Sequence, residues 1–167
     1  NLGFAEGNNV GLRHALEIGA DYAFLLNNDA TVSQDTIALL VDEARRRPAA
    51  GALCPLILFA DPPGAVWYAG ADYDPALAYN GRQAGYGQRL AQPLEEPRTT
   101  GRLSGAAALV PRRVLEQVGL FDARLFLHME DVEWSLRMRA AGYELWLVPR
   151  AKVVHLVSVA SGGEHSP

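Results

Sequence analysis

Between residues 21 and 59 the chain spells a strand, a helix and a second strand in close succession, and this passage constrains the fold more than any other. DYAFLLNN is a short apolar run that ends in polar residues. A helix follows over about 34–46, with Ser33 as candidate cap and Ile37, Leu40, Val41 and Ala44 on one face at the 3.6-residue period. Pro48 stops that helix, and GALCPLILF reads as the next strand. Short apolar strands joined through a helix point to an α/β protein with a mainly parallel sheet.

The flanks add elements of the same kind. Residues 8–18 read as a helix closed by Gly19, and Pro111 opens a short helix closed by Gly119. Another helix spans about 130–141 and stops at Gly142, after which YELWLVP and AKVVHL read as a strand-turn-strand pair. The stretch 60–100 differs: Asp61-Pro62-Pro63-Gly64 is a turn, VWYAG a short strand, and the rest is rich in Gly, Pro, Tyr and Ala. It reads as an irregular excursion at the substrate side of a single domain over 1–157, with 158–167 a loose tail.

Composition removes several classes of function. A formal net charge of -4, with 49% hydrophobic and 20% charged residues, describes a globular domain. There is no basic stripe for nucleic acid, and the run Arg45-Arg46-Arg47 sits at a helix end. No run of 18 apolar residues offers a transmembrane helix. The single cysteine, Cys54, permits no internal disulfide and reads as a buried residue. No serine sits in a nucleophile-elbow setting, and no Cys/His cluster has zinc spacing.

Four constellations could carry chemistry. In LLNNDA a strand ends in Asn27, Asn28 and Asp29, placing oxygen donors at a carboxyl end, where open α/β sheets bind ligands and where Mg2+ or Mn2+ would suit them. The bland alternative is an Asx turn. The glycines of GFAEGNNVG would permit close approach of a diphosphate, but they match no dinucleotide fingerprint, and the only lysine, Lys152, is no phosphate-loop lysine. In MEDVEWSLR, Asp131 lies at a helix start whose dipole favours a carboxylate, a sensible general base beside a hydroxyl. Glu133 and Arg137 are four apart and can simply pair, and Trp134 fits core or cleft wall equally. His155, ending AKVVH, is either structural or the completion of a metal site begun by Asp29.

Taken in order, NLGFAEGNNVGL, LLNNDA and SGAAALVPRRVLEQVGLFDARLFLHMEDVEWSLRMRAAGYELWLVPRAKVVHL closely resemble the inverting family 2 glycosyltransferases, nearest to their rhamnosyltransferase-like branch. The resemblance implies a GT-A fold that binds a nucleotide-diphospho-sugar and Mn2+ or Mg2+. Asn27-Asn28-Asp29 occupies the place of the Asp-x-Asp motif, with Asn27 replacing its first aspartate and Asp29 contacting metal and diphosphate. His155 matches a histidine that contacts metal or diphosphate. Glu130-Asp131 matches the Glu-Asp motif whose aspartate is the catalytic base. Trp134 and Arg137 match positions that border acceptor and donor diphosphate, and Ser104-Gly105 falls where members approach donor sugar and acceptor.

The implied reaction is metal-dependent transfer of a sugar, with inversion, to an acceptor hydroxyl of a surface polysaccharide or lipid-linked glycan, in the cytoplasm or at the cytoplasmic face of a membrane. Relative to full-length members the chain opens after the first strands, so the expected domain is N-terminally incomplete, its apolar edge covered by a complementing N-terminal segment or a homo-oligomer. The competing expectation is a catalytically inactive fragment that retains the fold as a binding or assembly domain.

Overall fold

The computed structural model describes residues 1–72 and 83–157. The expected loose tail at 158–167, and residues 73–82 of the irregular excursion, lie outside the described residues. The elements run α1 (Gly3–Glu17), β1 (Tyr22–Leu26), β2 (Ala30–Val32), α2 (Thr36–Arg46), β3 (Ala50–Phe59), β4 (Val66–Tyr68), β5 (Arg98–Thr99), β6 (Ala107–Pro111), α3 (Arg112–Val118), α4 (Glu130–Ala140) and β7 (Glu144–His155).

β3 and β7 pair in parallel along their length and form the spine of the sheet. Ala50 to Ile57 are all buried, which is why this strand reads as an unbroken apolar run: both of its faces are covered. On one face α2 packs Leu40 and Ala44 against Leu53, Leu109, Val148 and Ala151. The larger core on the other face joins Ala5 and Leu12 of α1, Val114 and Leu115 of α3, and Trp134 and Met138 of α4 to Cys54, Ile57 and Leu147.

The strand order is β1-β6-β3-β7-β2, with β4 on β3 and β5 on β7. The α/β expectation holds, but the sheet is mixed rather than mainly parallel: β3–β7 is the parallel pair, while β1–β6, β3–β6, β2–β7, β3–β4 and β5–β7 are antiparallel. β1, β3 and β7 do run the same way, because β6 is inserted antiparallel between β1 and β3. Their carboxyl ends therefore share one edge, and the start of β6 enters at that edge opposite Leu26.

Other boundaries shift for local reasons. α1 begins at Gly3 rather than near residue 8, because Asn1 Oδ1 accepts the Gly3 N–H at 3.0 Å and the Phe126 carbonyl accepts that of Phe4 at 2.8 Å. Gly3 has φ +73°, and a Cβ there would stand 2.5 Å from the Phe126 carbonyl oxygen, so the position requires glycine. The N-cap of α2 is Asp35 rather than Ser33, whose backbone carbonyl accepts the Thr36 N–H at 3.1 Å in the preceding turn. The buried face of α2 is Thr36, Leu40 and Ala44, with Ile37 outside, because the Thr36 hydroxyl bonds the Lys152 carbonyl at 2.7 Å. The expected strand-turn-strand pair is one strand: β7 bulges past Pro149, its register on β3 jumping from Val148 to Lys152. Among the described residues no helix is long and apolar enough to cross a membrane.

Candidate active site

The site is built where the carboxyl ends of β1 and β7 meet the start of β6 and the first turn of α4. β2 pairs antiparallel with the end of β7, setting Ala30 opposite His155, and the Leu156 N–H closes the contact on the Asp29 carbonyl at 2.8 Å. This register puts Asp29 Oδ1 3.0 Å from His155 Nε2, with Asn27 Nδ2 3.3 Å from the same nitrogen. His155 is 5% exposed, the Trp67 ring lies edge-on to its imidazole at 4.6 Å, and its Nδ1 is buried without a hydrogen-bond partner among the described residues.

Two ligands at right angles around a small divalent cation at about 2.1 Å stand about 3.0 Å apart. The Asp29–His155 pair has that spacing and a suitable oxygen and nitrogen donor set. Among the described residues no group of three His, Cys, Asp or Glu comes together. An ion held here would take its remaining ligands from water or from a bound diphosphate, a habit of Mg2+ and similar hard cations.

The second carboxylate is held through the segment that leads into β6. The Gly105 N–H donates to Asp131 Oδ2 at 3.2 Å, and the adjacent Ala106 carbonyl accepts the Asn27 N–H at 2.9 Å. One residue of backbone thus separates the contact of Asp131 from that of the strand end carrying Asp29. Arg102 Nη1 stands 3.6 Å from the same Oδ2, whereas Oδ1 makes no hydrogen bond among the described residues. Asp131 sits in the first turn of α4, where the helix dipole favours a carboxylate, and the Ser135 hydroxyl ties its carbonyl at 2.5 Å. The same hydroxyl accepts the Leu103 N–H at 2.9 Å, locking helix to segment.

The remaining residues singled out from sequence divide clearly. Asn28 is exposed and, with Gly3, Phe4, Gly7, Asn8, Leu26 and Asn27, lines a cavity of about 420 Å³ between α1 and the end of β1. There the glycine-rich helix and LLNNDA come together. Ser104 is 2% exposed and its hydroxyl accepts the Ala106 N–H at 3.3 Å, so it shapes the segment from within. Glu130 is 6% exposed with Oε2 unpartnered among the described residues, and burial, reinforced by the adjacent Asp131 charge, pushes its carboxyl above the usual glutamate range despite a hydrogen bond from its own backbone N–H. Burial likewise pushes the Cys54 thiol up to about 12.

Trp134 and Arg137 stand behind the site rather than in it. Trp134 is fully buried against Phe121, with ring centroids 4.2 Å apart, and its Nε1–H donates to the Gly119 carbonyl at 2.9 Å. Arg137 bonds Glu133 through Nε and Nη2 at 2.6 and 2.9 Å, and the Val118 and Leu120 carbonyls at 2.7 and 2.6 Å. Both side chains are spent on the α3–α4 connection. Arg102 and Trp67, by contrast, touch the site residues and escaped the sequence reading. The signal for Arg102 was there: a lone cation inside the uncharged, small-residue stretch entering β6, where burial of a charge is costly without a partner.

No protein-family model matches the chain. It is 37% identical over 155 residues to N-acetylglucosaminyl-diphospho-decaprenol L-rhamnosyltransferase of Mycobacterium tuberculosis, covering 85% of this chain and 49% of that protein. It is 25% identical over 161 residues to dTDP-rhamnosyl transferase RfbF of Shigella flexneri, covering 94% of this chain and 50% of that one. The chain spans about half the length of the curated relatives it matches. Among solved structures, the crystal structure of GalNAc-T7 with UDP, GalNAc and Mn2+ superimposes with a TM-score of 0.63 at 20% identity, covering 92% of this chain and 32% of that one.

Proposed function

We propose that this chain, which belongs by sequence and fold with the rhamnosyltransferase-like glycosyltransferases of GT-A fold, is the part of a transferase that moves rhamnose, with inversion, from a nucleoside diphosphate to a hydroxyl of a lipid-linked glycan. The names of the relatives support sugar and acceptor class, and a lipid-linked acceptor supports a place at the cytoplasmic face of a membrane. One observation carries the reading. Asp131 Oδ2 is fixed by the Gly105 N–H while the neighbouring Ala106 carbonyl holds the strand end that bears Asp29, so a base and a diphosphate-binding edge share one rigid segment.

The chemistry follows from that arrangement. The acceptor oxygen forms its bond to the anomeric carbon as the bond from that carbon to the leaving diphosphate breaks, and its proton passes to the Asp131 carboxylate. Oδ1, which the protein leaves unbonded among the described residues, is the oxygen that accepts the proton. Asp131 needs no unusual basicity, because the acceptor hydroxyl becomes acidic only as the new bond forms. Asp29 and His155 would hold Mn2+ or Mg2+, which when bound neutralises charge on the leaving diphosphate. The α1–β1 cavity with Asn8, Asn27 and Asn28 offers amides to the rest of the nucleotide.

The test is titration calorimetry of the full chain with dTDP, UDP and GDP, with and without Mn2+, followed by rhamnosyl transfer to a diphospho-polyprenol acceptor. Heat that requires Mn2+ and vanishes in Asp29→Ala, with turnover that vanishes in Asp131→Asn while dTDP still binds, is the expected outcome. A folded chain that binds nucleotide without turnover would instead favour a binding or assembly domain. One that binds none would remove the donor site from this chain.

A further inference from the structure

Arg102 has no role in the reaction described above, yet its setting is that of a built part. Its backbone carbonyl accepts the Tyr68 hydroxyl at 2.6 Å and the Thr100 hydroxyl at 3.1 Å, and Tyr68 is fully buried. The side chain is only 12% exposed, and Nη1 faces Asp131 Oδ2 at 3.6 Å. With its amide turned so that both ends find partners, Gln83 accepts from Arg102 Nη2 at 2.7 Å and donates to the Trp67 carbonyl at 2.8 Å. Trp67 in turn packs its ring against His155. A continuous wall therefore runs from His155 through Trp67, Gln83 and Arg102 to Asp131.

A guanidinium this sheltered is expensive unless a negative charge and hydrogen-bond acceptors face it. Asp131 is that charge and Gln83 that acceptor, while Nε stays buried without a partner among the described residues. At 3.6 Å the contact with Asp131 is an ion pair rather than a hydrogen bond. The cation thus approaches the carboxylate at Oδ2, the same oxygen that the Gly105 N–H holds.

We propose that Arg102, held in place by Gln83, is a positioning residue that fixes the Asp131 carboxylate for proton transfer, the Trp67 carbonyl and Gln83 supporting the base through it. The inference rests on the reading of Asp131 as base. Arg102 does not bind the donor; it acts on the base alone.

The experiment compares the full chain with Arg102→Met, Arg102→Lys and Gln83→Leu, using dTDP-rhamnose with a diphospho-polyprenol acceptor and dTDP for calorimetry. Arg102→Met should lower kcat about 10- to 100-fold, the scale on which a misplaced catalytic group acts. Donor KM and dTDP affinity should stay within about twofold, since interactions made only in the transition state appear in kcat. Arg102→Lys should recover part of that loss, and Gln83→Leu should lower kcat by a few-fold. If Arg102→Met does not fold, Arg102→Lys and Gln83→Leu carry the comparison, each expected below the parent in kcat alone. Unchanged kcat in the folded variants overturns the proposal, as does a loss confined to donor KM and dTDP affinity. A parent chain without turnover overturns the transfer reading itself, and the positioning role with it, before any variant is compared.

Discussion

Replacing Arg137 by methionine separates two readings of this residue by their size. Sequence resemblance places it beside the donor diphosphate; the structure spends its guanidinium on Glu133 and on the Val118 and Leu120 carbonyls. Methionine keeps most of the apolar stem and removes the charge and every donor. Each bond to a carbonyl contributes about 1 kcal/mol, taken below the range for shielded charged donors because water reaches the side chain. That access is real, since the Arg137 side chain is 32% exposed. The pair with Glu133, four residues away on an accessible helix face, adds about 0.4 kcal/mol. The sum is a loss of about 2 to 3 kcal/mol, or a Tm lower by roughly 5 to 10 °C for a chain of this size. Urea unfolding followed by far-UV circular dichroism measures the first figure, and calorimetry with dTDP and Mn2+ measures what happens to the donor site. The expected pair of results is a lower urea midpoint with dTDP affinity within about threefold of the parent. An unchanged midpoint with affinity lowered tenfold or more, about 1.4 kcal/mol, would refute the structural assignment.

Two further perturbations probe the same corner. Glu130 keeps its proton to higher pH in the native chain than in the unfolded one, because burial penalises its charged form. Its destabilising contribution therefore sets in as pH rises above the unfolded value and is complete once pH passes the raised native value. Glu130→Gln should gain stability over the parent progressively as pH rises above the ordinary glutamate range in urea titrations, and a pH-independent difference would sink this account. At Gly105 an added Cβ would meet Phe4 Cζ at 3.1 Å and Cε1 at 3.2 Å, closer than ordinary contact, and Asp131 Cβ at 3.6 Å. Gly105→Ala should cost about 1 kcal/mol through the displaced Phe4 ring. Because the same residue's N–H holds Asp131, the proposed base, kcat should fall by more than stability alone predicts; unchanged turnover would refute a displacement of that N–H from the carboxylate.

What could be read from the sequence follows from what each signal encodes. β3 was legible because burial on both faces leaves an uninterrupted apolar run. The direction of β6 was not, because AALVP is equally apolar either way and its antiparallel placement is decided by distant pairings with Phe24 and Leu53. β7 looked like two strands because Pro149 interrupts its pattern, whereas a bulge lets the chain continue on the same neighbour. In the site, Asp29 and His155 were recognisable as candidates, and as a candidate pair, since polar residues at the end of an apolar strand are conspicuous. That they touch depends on the pairing of Ala30 with His155, which no local pattern carries.

The residues around Trp134 teach the complementary lesson. A charged, aromatic helix start beside a candidate base invites assigning every polar group to the ligand. The structure divides the labour: Asp131 faces the site, while Trp134 and Arg137 bond to the carbonyls of Val118, Gly119 and Leu120. Those bonds anchor α4 to the end of α3, and Asn9 of α1 grips the next residue, donating to the Phe121 carbonyl and accepting its N–H. The helix that carries Asp131 and the helix that lines the cavity are thus fixed to one short connection. A catalytic group must be held to a fraction of an ångström to be useful, so residues that never meet the substrate can be as indispensable to the chemistry as those that do.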